Sequence, residues 1–163
     1  MSRIVLKEPE EEFPRDLPPL TVSKHPNYIT PTGHARLLAQ LAVTERHLAE
    51  ALPNQIDSQL IRTALALDIR RLQARLETAI PVETHAQIAG QIGFGAFALA
   101  RDTTGHEHRY QIVGEDEAEP RVGRISWCSP LGKALMGARV GDFVLWERPA
   151  GELELEILSI RPG

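Results

Sequence analysis

Cysteine is all but missing from this sequence: Cys128 stands alone among 163 residues. No disulfide can form within the chain, which suits a reducing compartment. Aromatic side chains make up only 5% of the residues, against 42% apolar overall, enough for a modest core. No apolar run reaches the roughly 18 residues that a membrane span needs. The opening MSRIVLKEPEEEFPRDLPPL carries charges where a signal peptide requires an apolar segment. A cytoplasmic protein without membrane contact is expected. Positive charge is not in excess either. The formal net charge of −4 gives no global attraction to nucleic acid, which argues against a plain DNA- or RNA-binding module but leaves room for a local basic face.

What is present makes one or two small domains. The densest stretch covers residues 110–137. Tyr110, Ile112 and Val113 favour a strand, and Gly114 ends it. Residues 115–121 form a charged, proline-bearing turn, and residues 123–127 offer a second short strand. Ser129-Pro130 then has the form of an N-cap followed by the first helical position. Leu131, Ala134, Leu135 and Met136 supply the apolar side of a helix of about two turns. Gly137 provides its left-handed stop.

Upstream, residues 1–26 mix acids with prolines and hold too little apolar surface to offset chain entropy, so a mobile tail is expected. Ile4, Val5 and Leu6 offer an alternative there as an added edge strand. Thr30-Pro31 is a second helix start. Leu37, Leu38, Leu41, Leu48 and Leu52 predict an amphipathic helix ending near Pro53-Asn54. Ile61, Leu65, Ile69, Leu72 and Leu76 predict another over 57–79. Its outer face carries Arg62, Asp68, Arg70, Arg71, Arg75 and Glu77. Arg70, Arg71 and Arg75 are expected on a solvated face, with an RNA contact as the alternative. The two helices make an antiparallel hairpin spanning 27–80, and patterning alone also allows an ordinary small bundle. After a linker at 81–90, residues 91–99 open a second domain as a strand. Residues 102–105 form a hairpin turn and 108–113 the return strand. Residues 143–146 and 153–160 form further strands, separated by turns at 140–142 and 149–152. In the last strand Leu153, Leu155, Ile157 and Ser159 alternate with Glu152, Glu154, Glu156 and Leu158, as in a half-buried antiparallel strand.

The wording of 110–137 goes beyond this grammar. Tyr110-Gln-Ile-Val-Gly-Glu-Asp-Glu, Gly123-Arg-Ile-Ser-Trp-Cys-Ser-Pro-Leu, Ala134-Leu135 and Val140-Gly141-Asp142 closely resemble the C-terminal domain of Gre-type transcript cleavage factors. Thr30-Pro31-Thr32-Gly33, preceded by Pro26-Asn27-Tyr28-Ile29, matches the family's opening phrase. Gly95 before an aromatic matches its phrase at the start of the second domain. The resemblance implies an α+β protein: an antiparallel coiled-coil finger, then a domain at 91–163 shaped like an FK506-binding protein, an antiparallel sheet with a short helix. It implies RNA polymerase as partner, entered through the secondary channel, with indirect contact to nucleic acid in the transcription complex, no resident cofactor and a monomeric state. It points to Asp116, Ser126, Ser129, Pro130 and Leu131 as polymerase-binding residues.

The family's chemistry sits at the fingertip, where a motif Asp-x-x-Glu-Asn-x-(Glu/Asp)-Tyr helps hold a catalytic Mg²⁺ in the polymerase. Here the tip reads Pro53-Asn-Gln-Ile-Asp57-Ser-Gln-Leu60. Asp57 is present, Leu60 stands where the second acid belongs, and Glu50 is the other acid near the tip. These are weak metal candidates, because a residue placed like Asp57 serves a helix start equally well. Arms of about 22 residues reach about 33 Å, roughly two turns short of the family's arms. The expected function is therefore a channel-binding regulator without full cleavage stimulation, and not an enzyme. The alternatives are an atypical cleavage cofactor using Asp57, or an interaction protein like the Gre-related regulator of nucleoside diphosphate kinase.

Other patterns carry less. His106 and His108 share a strand face without a third ligand and are expected to be exposed. Cys128 precedes a helix but lacks a His-Asp partner pattern. Gly93-Phe-Gly95 lacks a third glycine and a following helix, so it is no dinucleotide fingerprint. Isomerase activity would follow from fold analogy alone, and no aromatic-lined pocket is evident in the sequence.

Overall fold

The computed structural model describes residues 20, 22–51, 56–83 and 89–163. The edge strand suggested for residues 4–6, and nearly all of the suggested tail, lie outside these. β1 (Tyr28–Ile29) leads into α1 (Pro31–Glu50), α2 (Ile56–Thr78) and β2 (Ile80–Pro81). The two short strands pair in parallel and close the root of the helical hairpin. The second domain follows as β3 (Phe97–Asp102), β4 (Glu107–Val113), β5 (Arg124–Ser126), α3 (Pro130–Leu135), β6 (Phe143–Trp146) and β7 (Leu153–Arg161). Its five-stranded sheet has the order β5-β4-β3-β7-β6 and curls around α3. Among the described residues no helix is long and apolar enough to cross a membrane.

The architecture is α+β, with one departure from an all-antiparallel sheet. β4 and β5 run parallel, pairing Gln111 with Arg124 and Val113 with Ser126. The connection between them spends its length on two 3₁₀ turns, Glu115–Glu117 and Pro120–Val122, instead of a tight hairpin. That detour is what brings the acidic segment to the hairpin root. The expected strand at 91–99 also starts later, at Phe97. Residues before it form no continuous ladder and are held by separate backbone bonds, those of Ile92 with Gly137 and Ala138 and those of Gly95 and Ala96 with Ile112.

The main core lies between the concave face of the sheet and α3. Ala98, Ala100, Ile112, Leu155 and Ile157 of the sheet meet Leu131 and Leu135 of the helix. Alternation in β7 does not hold to its end. The pairing shifts between Leu99 and Ala100, which face Ser159 and Ile157, so one residue of β7 is extra. Such a bulge reverses the faces beyond it. Ile160 turns to the core and Ser159 is exposed, the opposite of the plain alternation read from the sequence.

In the hairpin, Leu37 and Leu72 join Ile29 in a small second core, flanked by Leu41, Leu76 and Ala79. Leu38 and Ile61, assigned to the apolar stripes, are 49% and 55% exposed. Two helices alone cover only a narrow seam, so the margins of a wide stripe stay wet. Arg62 and Arg75 are not on a solvated outer face either. Arg62 donates to the carbonyls of Ala51 (2.9 Å) and Leu48 (3.5 Å), closing the last turn of α1. Arg75 turns into the root.

The root explains the phrases that looked like family wording. Thr30 is the N-cap of α1, its hydroxyl accepting from the Gly33 N–H at 3.0 Å. The carboxylate of Glu117, from the second domain, accepts from the Thr30 N–H (2.9 Å), the Thr30 hydroxyl and the Gly114 N–H (3.1 Å). Gly33 leaves room for this contact: a Cβ there would lie 2.1 Å from Glu117 Oε1, and the carboxylate would have to shift. Asn27 is buried and grips the end of α2, donating to the Arg75 carbonyl (2.7 Å) and accepting from the Arg75 guanidinium (2.7 Å). Tyr28 packs edge-on against Phe94 and Trp127 of the second domain.

Replacing Glu117 by alanine strands two buried backbone donors, and the expected loss is on the order of 3 kcal/mol in urea denaturation. Glu117→Gln keeps an acceptor and should lose less. A change within about 0.5 kcal/mol for the alanine variant, the scale of an ordinary surface substitution, would contradict the socket.

Candidate functional site

α3 is positioned by the residues just before it. The Ser129 hydroxyl accepts from the Gly132 N–H at 3.1 Å and donates to the Ser126 carbonyl at 2.7 Å. One side chain thus caps the helix and ties it to the end of β5. Pro130 takes the first helical position. Gly132 lets the helix approach the strand: a Cβ there would lie 2.0 Å from the Ser126 carbonyl oxygen. Leu131 and Leu135 point into the core, at 3% and 0% exposure, while Pro130 faces outward. Gly137, at φ 82°, ends the segment as its sequence indicated.

Beside this helix lies a groove of about 640 Å³, largely apolar, on the concave side of the sheet. Ser126, Ser129, Pro130 and Leu131 all line it, so four of the five candidate docking residues come together. Tyr110 and Trp146 line it as well, which corrects the expectation that no aromatic-lined pocket exists. The two rings are distant in sequence and line one groove only because the sheet curls around α3. Arg148 lies over the Trp146 ring, 5.3 Å from its centre, and adds a cation at the rim.

His108 is part of this groove rather than an exposed strand residue. It stacks on Tyr110, ring centres 5.9 Å apart, and its Nε2 lies 2.8 Å from Asp102 Oδ2. Asp102 also accepts from the Thr104 hydroxyl and backbone, closing the β3–β4 turn. The hydrogen bond from His108, and then that from Thr104, hold the Asp102 carboxyl well below the usual carboxylate range. A lowered carboxylate pKa stabilises the fold above its unfolded value of about 4, and that contribution is lost as pH falls through the folded value. Burial pushes the Tyr110 phenol up, so it enters the groove as a neutral hydroxyl.

Asp116, the fifth candidate, is not in the groove. It lies at the hairpin root, paired with Arg75 at 2.6 Å, and both side chains are under 20% exposed. Glu115 beside it accepts from Ser23 at 3.0 Å. Glu50 is the exposed last residue of α1, at the far end of the hairpin. Asp57 falls in the first turn of α2, and its side chain lies outside the described residues. Leu60, one turn on, is 77% exposed. Cys128 Sγ lies 3.1 Å from the Ser126 hydroxyl. Among the described residues no three His, Cys, Asp or Glu side chains gather as a metal site.

The family described as "Transcription elongation factor, GreA/GreB, C-term" matches residues 87–162. A transcription elongation factor GreA from Methylococcus capsulatus is 42% identical over 95 residues, 57% of this chain and 60% of the relative. That from Chloroflexus aggregans is 32% identical over 157 residues, 86% of this chain and 100% of the relative. Among solved structures, GreA factor homolog 1 (Gfh1) of Thermus thermophilus is 26% identical, covering 84% of this chain and 99% of its own, with a TM-score of 0.41.

Ser129→Ala removes the cap and should cost about 1 kcal/mol in chemical denaturation. Gly132→Ala should cost more, because its Cβ would meet the backbone of Ser126 and Trp127 and not the end of a flexible side chain. Equal, negligible losses for both would contradict the tight seat of α3 on β5.

Proposed function

The chain belongs to the GreA/GreB family of transcription elongation factors, and from that premise we propose that it docks on RNA polymerase through the groove beside α3 and regulates elongation without full transcript-cleavage stimulation. The observation that carries this reading is the contrast between the two ends of the molecule. The second domain keeps a capped, tightly seated α3 beside an apolar, aromatic-lined groove suited to a partner's helix or loop. The far end of the hairpin has an exposed leucine, Leu60, where the family's tip motif has its second acid. A hard cation held for hydrolysis needs converging oxygen ligands, and a lone Asp57 with Glu50 on the other arm is a poor substitute. The helices are also short. The 20 residues of α1 give about 30 Å.

In this reading Ser126, Ser129, Pro130 and Leu131 form the docking face, and Asp116 acts through the root by fixing the angle between hairpin and lobe. The protein works in the cytoplasm as a monomer. Any hydrolysis is done by the polymerase, so it is not itself an enzyme. Its effect is occlusion of the secondary channel and competition with cleavage-competent relatives.

The test uses stalled, backtracked polymerase complexes with Mg²⁺. The expected result is no RNA shortening with this protein alone, and loss of the cleavage stimulated by an added Gre factor. Ser129→Glu, which places a charge in the groove, should weaken that competition about tenfold, a difference of about 1.4 kcal/mol. RNA shortening that disappears in Asp57→Ala would instead establish the atypical cleavage cofactor. Failure to co-sediment with core polymerase would favour the nucleoside diphosphate kinase regulator-like reading.

A further inference from the structure

The face of the sheet turned away from α3 carries a second concavity of about 500 Å³. We propose that it binds single-stranded nucleic acid, holding phosphate and the flat face of a base without reading sequence. Strand register builds it. One row across the sheet is Arg124, Gln111, Phe97 and Arg161; the next is Arg109, Leu99 and Ser159. All of them line the cavity. An arginine therefore stands at each end of the first row, a third borders the second row, and an aromatic ring lies between.

The chemistry of these groups is specific. Guanidinium forks suit phosphate oxygens, and their planes stack on bases as aromatic rings do. Phe97 is 39% exposed, and the Arg161 guanidinium lies over it, 5.5 Å from the ring centre. A sheet face that presents such a ring is a stacking platform. Arg109 and Arg161 have no carboxylate partner among the described residues. Arg124 is bound to Glu119, yet its Nε is buried with no protein acceptor. Acids are kept one row away, where Arg101 holds Glu156 at 2.7 Å beside Glu107. Three guanidiniums against one carboxylate make this patch positive in a chain of net charge −4, so the clustering is local and not a general basicity. The volume lies in the range of about 300–1,000 Å³ that accommodates one small ligand unit, here a nucleotide of the strand.

The test is fluorescence anisotropy of a labelled single-stranded oligoribonucleotide of about a dozen nucleotides, titrated with the full chain at low and moderate salt. Saturable binding is expected at low salt. The double variant Arg109→Gln, Arg161→Gln should weaken it about tenfold and flatten the plot of log K against log salt by about 1.4, for two lost phosphate contacts. Phe97→Ala should weaken binding several-fold with the salt slope unchanged, because stacking releases no counterions. Phe97→Leu, which keeps apolar bulk without the ring, should do the same and guards against a folding defect. Arg71→Gln, on the hairpin, should leave binding as it was. No binding at low salt, an equal loss in Arg71→Gln, or binding of an oligo-glutamate peptide that is as tight and insensitive to Phe97 would each overturn the proposal. No polymerase enters this assay, so its outcome and that of the docking reading are separable.

Discussion

A buried carboxylate holds the two parts of this molecule together. Glu117 comes from the second domain and sits at the N-terminus of α1, taking hydrogen bonds from Thr30 and from its own segment at Gly114. A charge this far from water is stable only if it is fully hydrogen-bonded, and the positive end of the helix dipole adds to those bonds. The requirement runs both ways. α1 needs an acceptor for the Thr30 N–H, and Glu117 needs donors. Gly33 and Gly114 are small so that the approach is close enough; a Cβ on Gly114 would lie 2.0 Å from the Tyr28 carbonyl. Around this socket Asp116 and Asn27 hold Arg75, fixing the end of α2 as Glu117 fixes the start of α1.

This arrangement gives a rigid root and a bare shaft. Among the described residues neither helix packs broadly on the five-stranded sheet, and Leu38, Leu60 and Ile61 stay exposed along the hairpin. The orientation of the hairpin is therefore set at its root, by these polar contacts and by Tyr28 against Phe94 and Trp127, and not along its length by burial. The sheet domain, in turn, is free to use both of its faces. Its concave side buries α3 and leaves an apolar groove beside it. Its outer side carries the rows of arginine and phenylalanine. The same strands supply both because alternate residues point to opposite faces.

Much of the fold was legible because its signals are local. The Thr30-Pro31 and Ser129-Pro130 starts are complete capping devices within four residues, and the structure shows both caps formed. The turn at 102–105, with Gly105 at φ 89°, and the stop at Gly137 follow from glycine's freedom in the left-handed region. The groove was half legible: Ser126, Ser129, Pro130 and Leu131 form one contiguous phrase. Tyr110, His108 and Trp146 were missed as its walls. No spacing rule places β4 and β6 around the same helix, and His108 carried no sign that its partner is Asp102 across the turn. Arg62 and Arg75 were misplaced for a related reason. Helical periodicity gives an angle around the axis but not the direction a long side chain takes to reach a carbonyl or carboxylate.

By itself the sequence settled the type and order of the longer elements, the family phrases and the acid-poor tip, since each rests on interactions among residues a few places apart; the two short strands at the root and the late start of β3 were not legible in it. Only the tertiary structure decided what those phrases hold. Thr30 meets Glu117 across 87 residues, and Phe97 stands between Gln111 and Arg161 through strand pairing. It also decided where β7 changes face, because one bulged residue reverses every side chain beyond it. Contacts between distant segments depend on how the sheet curls and in which register it pairs, and those are properties of the assembled core rather than of any stretch of chain.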